Sequence, residues 1–279
     1  MTDFGKDAAA SIPAAGAGAP GLRSATVNLT VAGRKVQLQF DVPTGPTRPV
    51  ELLPLFRSLT DIFVRIASEA AEAQGATISC RKGCGACCRQ LVPISEIEVE
   101  SIQRIVDALP EPRRTRIVER FERATRALHA AALLETLRAP DAVTRERIQA
   151  LGTAYFALAI ACPFLEDESC SIHADRPLAC REYLVTSPAA HCAKPSAETV
   201  RCVAMPAKVS RAVRHLDTGG SKRSATWIPL ILALEWPCPD RKGGTPPPGT
   251  ASVATAFERL TGAHIPGPEE MLQVASPGA

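Results

Sequence analysis

Residues 80–88 read CRKGCGACC, so four cysteines occur within nine residues. Cys84 and Cys87 form a C-x2-C knuckle, in which two intervening residues let the chain turn until both sulfurs face one point. Gly83 and Gly85 flank Cys84, and glycine adopts turn conformations at little steric cost. Thiolates bind zinc and also the irons of iron–sulfur clusters. The stretch therefore predicts a metal-binding turn.

A second, more widely spaced set of cysteines follows later in the chain. The polar run 166–169 predicts a turn that brings Cys170 back towards Cys162. Cys88 directly follows Cys87, and we expect their side chains to diverge and to serve two metals, or two irons of one cluster. The candidate metal ligands are Cys80, Cys84, Cys87, Cys88, Cys162, Cys170, Cys180 and Cys192. Eight thiols suffice for two four-thiolate sites, or for one iron–sulfur cluster and one zinc ion.

The overall composition is that of a globular protein, with 46% hydrophobic and 22% charged residues. The net charge of +3 is too small to indicate a nucleic-acid or membrane partner. The first twenty residues lack the apolar stretch of a secretory signal, and the longest apolar run, 154–165, is too short to cross a bilayer. We therefore expect a cytoplasmic protein, in which thiols stay reduced and bind metal rather than form disulfides.

Hydrophobic periodicity predicts a mainly α fold with a small N-terminal β-hairpin, and with irregular cysteine-rich metal-binding loops packed on helices. Apolar residues alternate with polar ones in 27–31 and 36–42, and one apolar face of this hairpin should lie on a helix. Ser95 and Glu98 fit a capping box at a helix start. Helices are expected at about 50–74, from 95 to before Pro110, and at 113–138, 142–159, 207–216 and 228–235.

The same features predict how the chain is divided. We expect a disordered N-terminal segment (1–22), a β-hairpin (23–48), a helical cysteine-cluster metal-binding domain (49–216) and a C-terminal extension (217–279). The extension contains a Pro/Gly linker at 240–250 and, from 251 onward, a tail that we expect to be weakly ordered.

Several other residues bear on the ligand set. His191 abuts Cys192 and is the best imidazole candidate, whereas Cys202 is an alternative to Cys192 as a ligand, with Cys192 favoured. Cys238 is interpreted as a lone thiol. The cations that could offset the charge of a thiolate centre are Arg81, Lys82, Arg89, Arg176 and Arg181. The six arginines between 113 and 126 are interpreted as a solvated helix face with i,i+4 ion pairs.

The combined pattern resembles a known family. Its parts are the 80–88 cluster, CPFL at 162–165, CSIH at 170–173, Arg176-Pro177 and Cys180-Arg181. It resembles the CxxCxxCC zinc- or iron-chelating domain, also called the YkgJ-type cysteine-cluster family, over about residues 77–195. The resemblance implies a bacterial cytoplasmic protein that binds zinc or iron through these cysteines. The first spacing departs from the family's name because it is C-x3-C, and His173 stands where Tyr is common.

Two functions stay open on the sequence alone. One is a metal-binding module whose thiolates organise the fold. The other is an enzyme with an Fe–S cluster, either a redox protein or one similar to protein lysine methyltransferases, because flagellin lysine methylases are similar over the same cysteine pattern.

The spacing from Cys80 to Cys87, C-x3-C-x2-C, is also that of radical S-adenosylmethionine enzymes with a 4Fe–4S cluster. Ala86 replaces the aromatic residue that is usual there, and no series of parallel strands is predicted. Both observations argue against that fold.

Overall fold

The computed structural model describes residues 7–11, 21–31, 34–196, 198–214, 216, 227–237 and 245–261. These residues form a mostly helical protein with small sheets, which confirms the predicted fold class. The helices are α1 (Leu53–Ala73), α2 (Glu96–Asp107), α3 (Arg113–Ala130), α4 (Leu134–Arg138), α5 (Arg145–Ala157), α6 (Leu178–Glu182), α7 (Val209–Arg214) and α8 (Gly249–Thr261). No helix in this part of the chain has the length and apolar character needed to span a membrane.

The N-terminal sheet has three strands, β1 (Asp7–Ser11), β2 (Leu22–Val31) and β3 (Arg34–Pro43), in the order β1-β3-β2. Strands β2 and β3 pair antiparallel, with Val27 opposite Leu38, so the predicted hairpin is confirmed. Strand β1 pairs parallel to β3. The prediction of disorder is wrong for β1, because main-chain pairing does not require apolar side chains; the rest of 1–20 lies outside the described residues.

The apolar face of the hairpin packs on helices, as predicted. Leu38 and Phe40 are buried together with Phe56 and Phe63 of α1. The ring of Phe40 stacks on that of Phe257 in α8, with the ring centroids 5.6 Å apart. The hairpin, α1 and α8 therefore share one apolar cluster, which also includes residues of α7.

Helix α8 contradicts the expectation of a weakly ordered tail from residue 251. Val253, Ala256 and Phe257 are buried on one face of this helix. Their spacing of three and four residues is the helical signal, which the many small residues around them obscure. The part of the expected tail at 262–279 lies outside the described residues, as does most of the linker at 240–250.

The residues that predicted the end of α1 and the start of α2 lie where the sequence placed them. A short 3-10 turn (Pro49–Leu52) leads into α1, and Gly75 follows the helix with φ +81°. Glu98 accepts hydrogen bonds from the backbone N–H of Ser95 at 2.9 Å and from its hydroxyl at 2.8 Å, so the capping box is confirmed.

Two of the predicted helices are wrong in detail. The helix expected at 113–138 breaks into α3 and α4 near Ala132, where φ is +57°. Residues 228–235 form a short strand, β7 (Ile228–Pro229), and a 3-10 turn, because the residue before a proline disfavours helix and Ile228 pairs with strand β4 (Pro93–Ile94). Helices α5 and α7 lie within the ranges predicted for them.

A second apolar cluster lies behind the cysteine-rich loops. It joins α2 and α3 to Phe164 and Ile228, and the rings of Phe121 and Phe164 meet edge to face with centroids 5.6 Å apart. Cys162 and Cys170 pack against this cluster. The CPFL segment is thereby fixed on the helices by its phenylalanine.

Candidate metal centre

Main-chain hydrogen bonds join the two cysteine-bearing segments. The N–H of Cys162 donates to the carbonyl of Cys88 at 2.7 Å, and the N–H of Ser79 donates to the carbonyl of Val185 at 2.9 Å. The N–H of Val185 donates in turn to the sulfur of Cys80 at 3.4 Å. Cysteines far apart in the sequence therefore lie in one neighbourhood.

The 80–88 segment is a series of tight turns. Gly83 has φ +84°, and residues 86–89 form a 3-10 turn. A Cβ on Gly85 would lie 2.7 Å from Cδ1 of Leu165 and 3.2 Å from Cα of Glu168. Glycine is required at this position because the second cysteine segment passes directly over it.

The polar run 166–169 forms the predicted turn. Strands β5 (Leu165–Glu166) and β6 (Ser169–Cys170) pair antiparallel. The two residues between them, Asp167 and Glu168, have φ +49° and +54°, as a tight two-residue hairpin requires. The Glu168 carboxylate bonds the Arg89 guanidinium at 2.8 Å, which ties this hairpin to the first segment.

Cys180 lies on α6. The start of α6 is held by the carboxylate of Glu98, which the sequence predicts only as part of the capping box of α2. Glu98 Oε1 accepts the N–H of Leu178, the first residue of α6, at 2.8 Å. Glu98 is buried, and burial raises its pKa while the hydrogen bonds from Ser95 and Leu178 lower it. One side chain thus caps two helices. The capping box predicts the first contact, but nothing in the local sequence indicates the second.

Cys192 and Cys202 occupy different environments. Cys192 lies in a 3-10 turn (Ala189–Ala193) that contacts the 86–89 turn, and it is buried. Cys202 is exposed and forms a β-bridge with Val185. His191 is also exposed, and its Nδ1 lies 3.0 Å from the carbonyl oxygen of Thr199. Of these three residues, only Cys192 is buried.

Electrostatic interactions show which thiols are neighbours. Cys192 interacts with Cys80, Cys84 and Cys87, and less strongly with Cys202. A second group consists of Cys162, Cys170 and Cys180, and each of its members also interacts with Cys87. Cys87 thus lies between the two groups.

The pKa values describe a set of protonated thiols. Burial raises the pKa of Cys80, Cys170 and Cys192. It raises the pKa of Cys162 to about 12, and that of Cys180 well above the usual thiol value. These two side chains nevertheless remain only half-buried.

Cys87 and Cys88, which we expected to diverge, interact with each other. A hydrogen bond between the two thiols, together with burial, raises the pKa of Cys87. The 3-10 turn that contains both residues allows this contact, whereas in an extended strand neighbouring side chains would point to opposite faces.

In their present positions, no three His, Cys, Asp or Glu side chains of the described residues form a group that could hold a metal ion. A metal ion displaces the protons of the thiols that it binds and offsets the repulsion between the resulting thiolates. A metal held by three or more of these side chains would need them closer together than they lie in this structure. The donor chemistry fits zinc or iron, because soft sulfur ligands from both segments lie in the same neighbourhood.

The five candidate cations differ in their exposure and in the groups with which they interact. Arg81 and Lys82 are exposed. Arg89 pairs with Glu168, and Arg181 bonds both carboxylate oxygens of Asp61 at 2.9 Å. Arg176 interacts with Cys80, Cys87 and Cys170, and it favours their ionised forms.

The helical scaffold thus brings cysteines from two distant segments of the chain into one neighbourhood. Residues 79–203 match the model of the CxxCxxCC family, which is described as "Putative zinc- or iron-chelating domain". The chain carries this domain over less than half of its length, and the resemblance seen in the sequence is confirmed there. No curated protein and no solved structure matches the chain.

Proposed function

We propose that this protein binds zinc or iron through thiolates of both cysteine segments, in one site or in two sites that adjoin at Cys87. The ligand set would be Cys80, Cys84, Cys87 and Cys192 on one side and Cys88, Cys162, Cys170 and Cys180 on the other. The observation that carries the proposal is the position of Cys87, whose thiol interacts with members of both groups.

The surroundings support a bound metal over a reactive dithiol. Burial raises the pKa of most of these thiols, and a nucleophilic cysteine requires the opposite shift. A metal ion, when bound, would supply the positive charge that stabilises the thiolates. The protein's own contribution is to hold the sulfurs of two segments within reach of one another, through the hydrogen bond between Cys162 and Cys88.

The test is metal quantification with a visible spectrum on full-length protein purified without oxygen. A zinc protein is colourless with stoichiometric zinc, whereas an Fe–S protein is brown with broad visible absorption. Either result supports the proposal, and the second favours the Fe–S alternative considered above. A folded, metal-free protein in which every thiol reacts with a titrant would refute it.

Single variants test the ligand set. Cys87→Ser should lower the metal content, and Cys192→Ser should do the same. Cys202→Ser is the matched control, because Cys202 is exposed, and it should retain the metal. If Cys202→Ser loses metal and Cys192→Ser does not, the assignment of these two residues is reversed.

A further inference from the structure

Two buried polar side-chain atoms in the described ranges lack a hydrogen-bond partner, Ser171 Oγ and Arg176 Nε. Buried polar groups in folded proteins are nearly always bonded, so an exception requires an explanation. Both residues belong to the short stretch that follows Cys170. Their clustering beside one candidate ligand suggests a common missing acceptor.

The backbone around Arg176 is held firmly. The N–H of Asp175 donates to the carbonyl of Ile172 at 2.9 Å, and Arg57 donates to the carbonyl of Asp175 at 3.0 Å. The carbonyl of Arg176 accepts Nε of Arg181 at 3.2 Å. The guanidinium is therefore carried by a fixed turn while its own Nε is unbonded.

Nearby carboxylates do not neutralise Arg176. Asp175 pairs with Arg57 at 2.7 Å, and Asp61 pairs with Arg181. Arg176 forms no ion pair within the part of the chain that the structure describes, whereas three candidate ligands, Cys80, Cys87 and Cys170, lie within its electrostatic reach. Arg176 is half-buried, but its Nε is fully buried and unbonded, and metal-bound thiolates are anions that would accept a hydrogen bond from it.

We propose that Arg176 and Ser171 donate hydrogen bonds to metal-bound thiolates, and that Arg176 offsets the negative charge of the centre. This inference rests on the proposed function. Groups that hydrogen-bond to metal ligands orient them and tune the metal, and their loss commonly weakens metal binding 10- to 100-fold. Arg176 and Ser171 are thus positioning residues, which act on the metal through its sulfur ligands.

The experiment measures the affinity of the full-length protein for Zn²⁺ by competition with a chromophoric chelator. We expect Arg176→Gln to weaken binding about 10- to 100-fold. Arg176→Lys keeps the charge and should weaken binding less, and Ser171→Ala should have the smallest effect. Arg114→Gln, at an exposed arginine of α3, is the matched control and should bind like the wild type.

A second readout separates this role from a structural one. In the Co²⁺-loaded protein, Arg176→Gln should move the sulfur-to-metal charge-transfer band to longer wavelength, because the thiolates lose a stabilising cation. The metal-free variant should melt at or above the temperature of the metal-free wild type, since it no longer carries a half-buried charge that no carboxylate neutralises.

Three outcomes would overturn the inference. They are wild-type affinity in Arg176→Gln, an unchanged charge-transfer band, and a loss of affinity matched by lower stability of the metal-free form. A wild-type protein that binds neither Zn²⁺ nor Co²⁺ nor iron would instead refute the proposed function itself, and with it this inference.

Discussion

The cluster formed by the hairpin, α1 and α8 contrasts with the cysteine-rich loops at 79–92 and 162–203. The cluster is filled with large apolar side chains, among them the fully buried Phe56, Phe63 and Phe257. The loops contain short turns and two-residue strands, and seven of the eight candidate ligands in them are only half-buried. The first region is stabilised by many large apolar side chains, whereas the second has fewer of them, chiefly Phe164 and Leu178, and surrounds them with cysteines.

This difference indicates where the free energy of folding comes from. Burying a large apolar side chain stabilises a protein by about 1.5–3 kcal/mol, so the cluster needs no ligand. The loops place the unneutralised Arg176 near neutral thiols, and a bound metal would convert those thiols into thiolates that offset its charge. The loops should therefore depend on metal for their order, and the cluster should not.

Metal removal should produce the largest change in stability, and this change should be confined to the cysteine-rich loops. A structural zinc site in a small peptide contributes about 10 kcal/mol or more of folding free energy, and a strong chelator removes this contribution. We expect hydrogen exchange to accelerate greatly across 79–92 and 162–203, while the amides of β3 and α1 stay protected. Mass spectrometry of peptide fragments, with and without chelator, measures both regions in one experiment.

The control for metal removal is restoration of protection by added Zn²⁺. Uniformly faster hydrogen exchange throughout the chain would show that the two regions unfold together. Unchanged hydrogen exchange after metal removal would show that the loops are stable without metal. Either result contradicts the proposed division of roles.

Phe257→Ala should produce the next largest effect, in the opposite region. Phe257 is fully buried and stacks on Phe40, and a Phe→Ala change at such a site costs about 3–5 kcal/mol. Urea denaturation of the metal-loaded protein measures this loss of unfolding free energy, while the metal content per folded protein should stay that of the wild type. Phe257→Leu, which keeps most of the apolar volume, is the matched control and should lose less. Loss of metal from folded Phe257→Ala would show that the regions are coupled.

The two regions also differ in how well the sequence predicted them. Alternating apolar residues indicated the hairpin, and a helical stripe indicated α1, because secondary-structure periodicity reflects burial on one face. Helix α8 was not predicted, because many small residues lie among the apolar residues of its buried face. The cysteines were found by spacing alone, but their arrangement depends on long-range contacts such as that between Glu98 and Leu178, which have no local signal. The boundaries proposed at residues 48 and 216, like the cytoplasmic location, stay predictions.

Gly85→Ala should produce the smallest of these effects and confine it to the loops. The added methyl group would meet Cδ1 of Leu165 at 2.7 Å and Cα of Glu168 at 3.2 Å, so the second segment must move away from the first. Overpacking of this kind typically costs about 1–3 kcal/mol, and the displacement should weaken metal binding because it separates Cys87 from Cys162 and Cys170. Chelator competition measures the affinity. Gly152→Ala is the matched control, since nothing lies within 4 Å of a Cβ there, and it should bind metal like the wild type. Wild-type affinity in Gly85→Ala would mean that the close approach of the two segments is not needed to assemble the ligands.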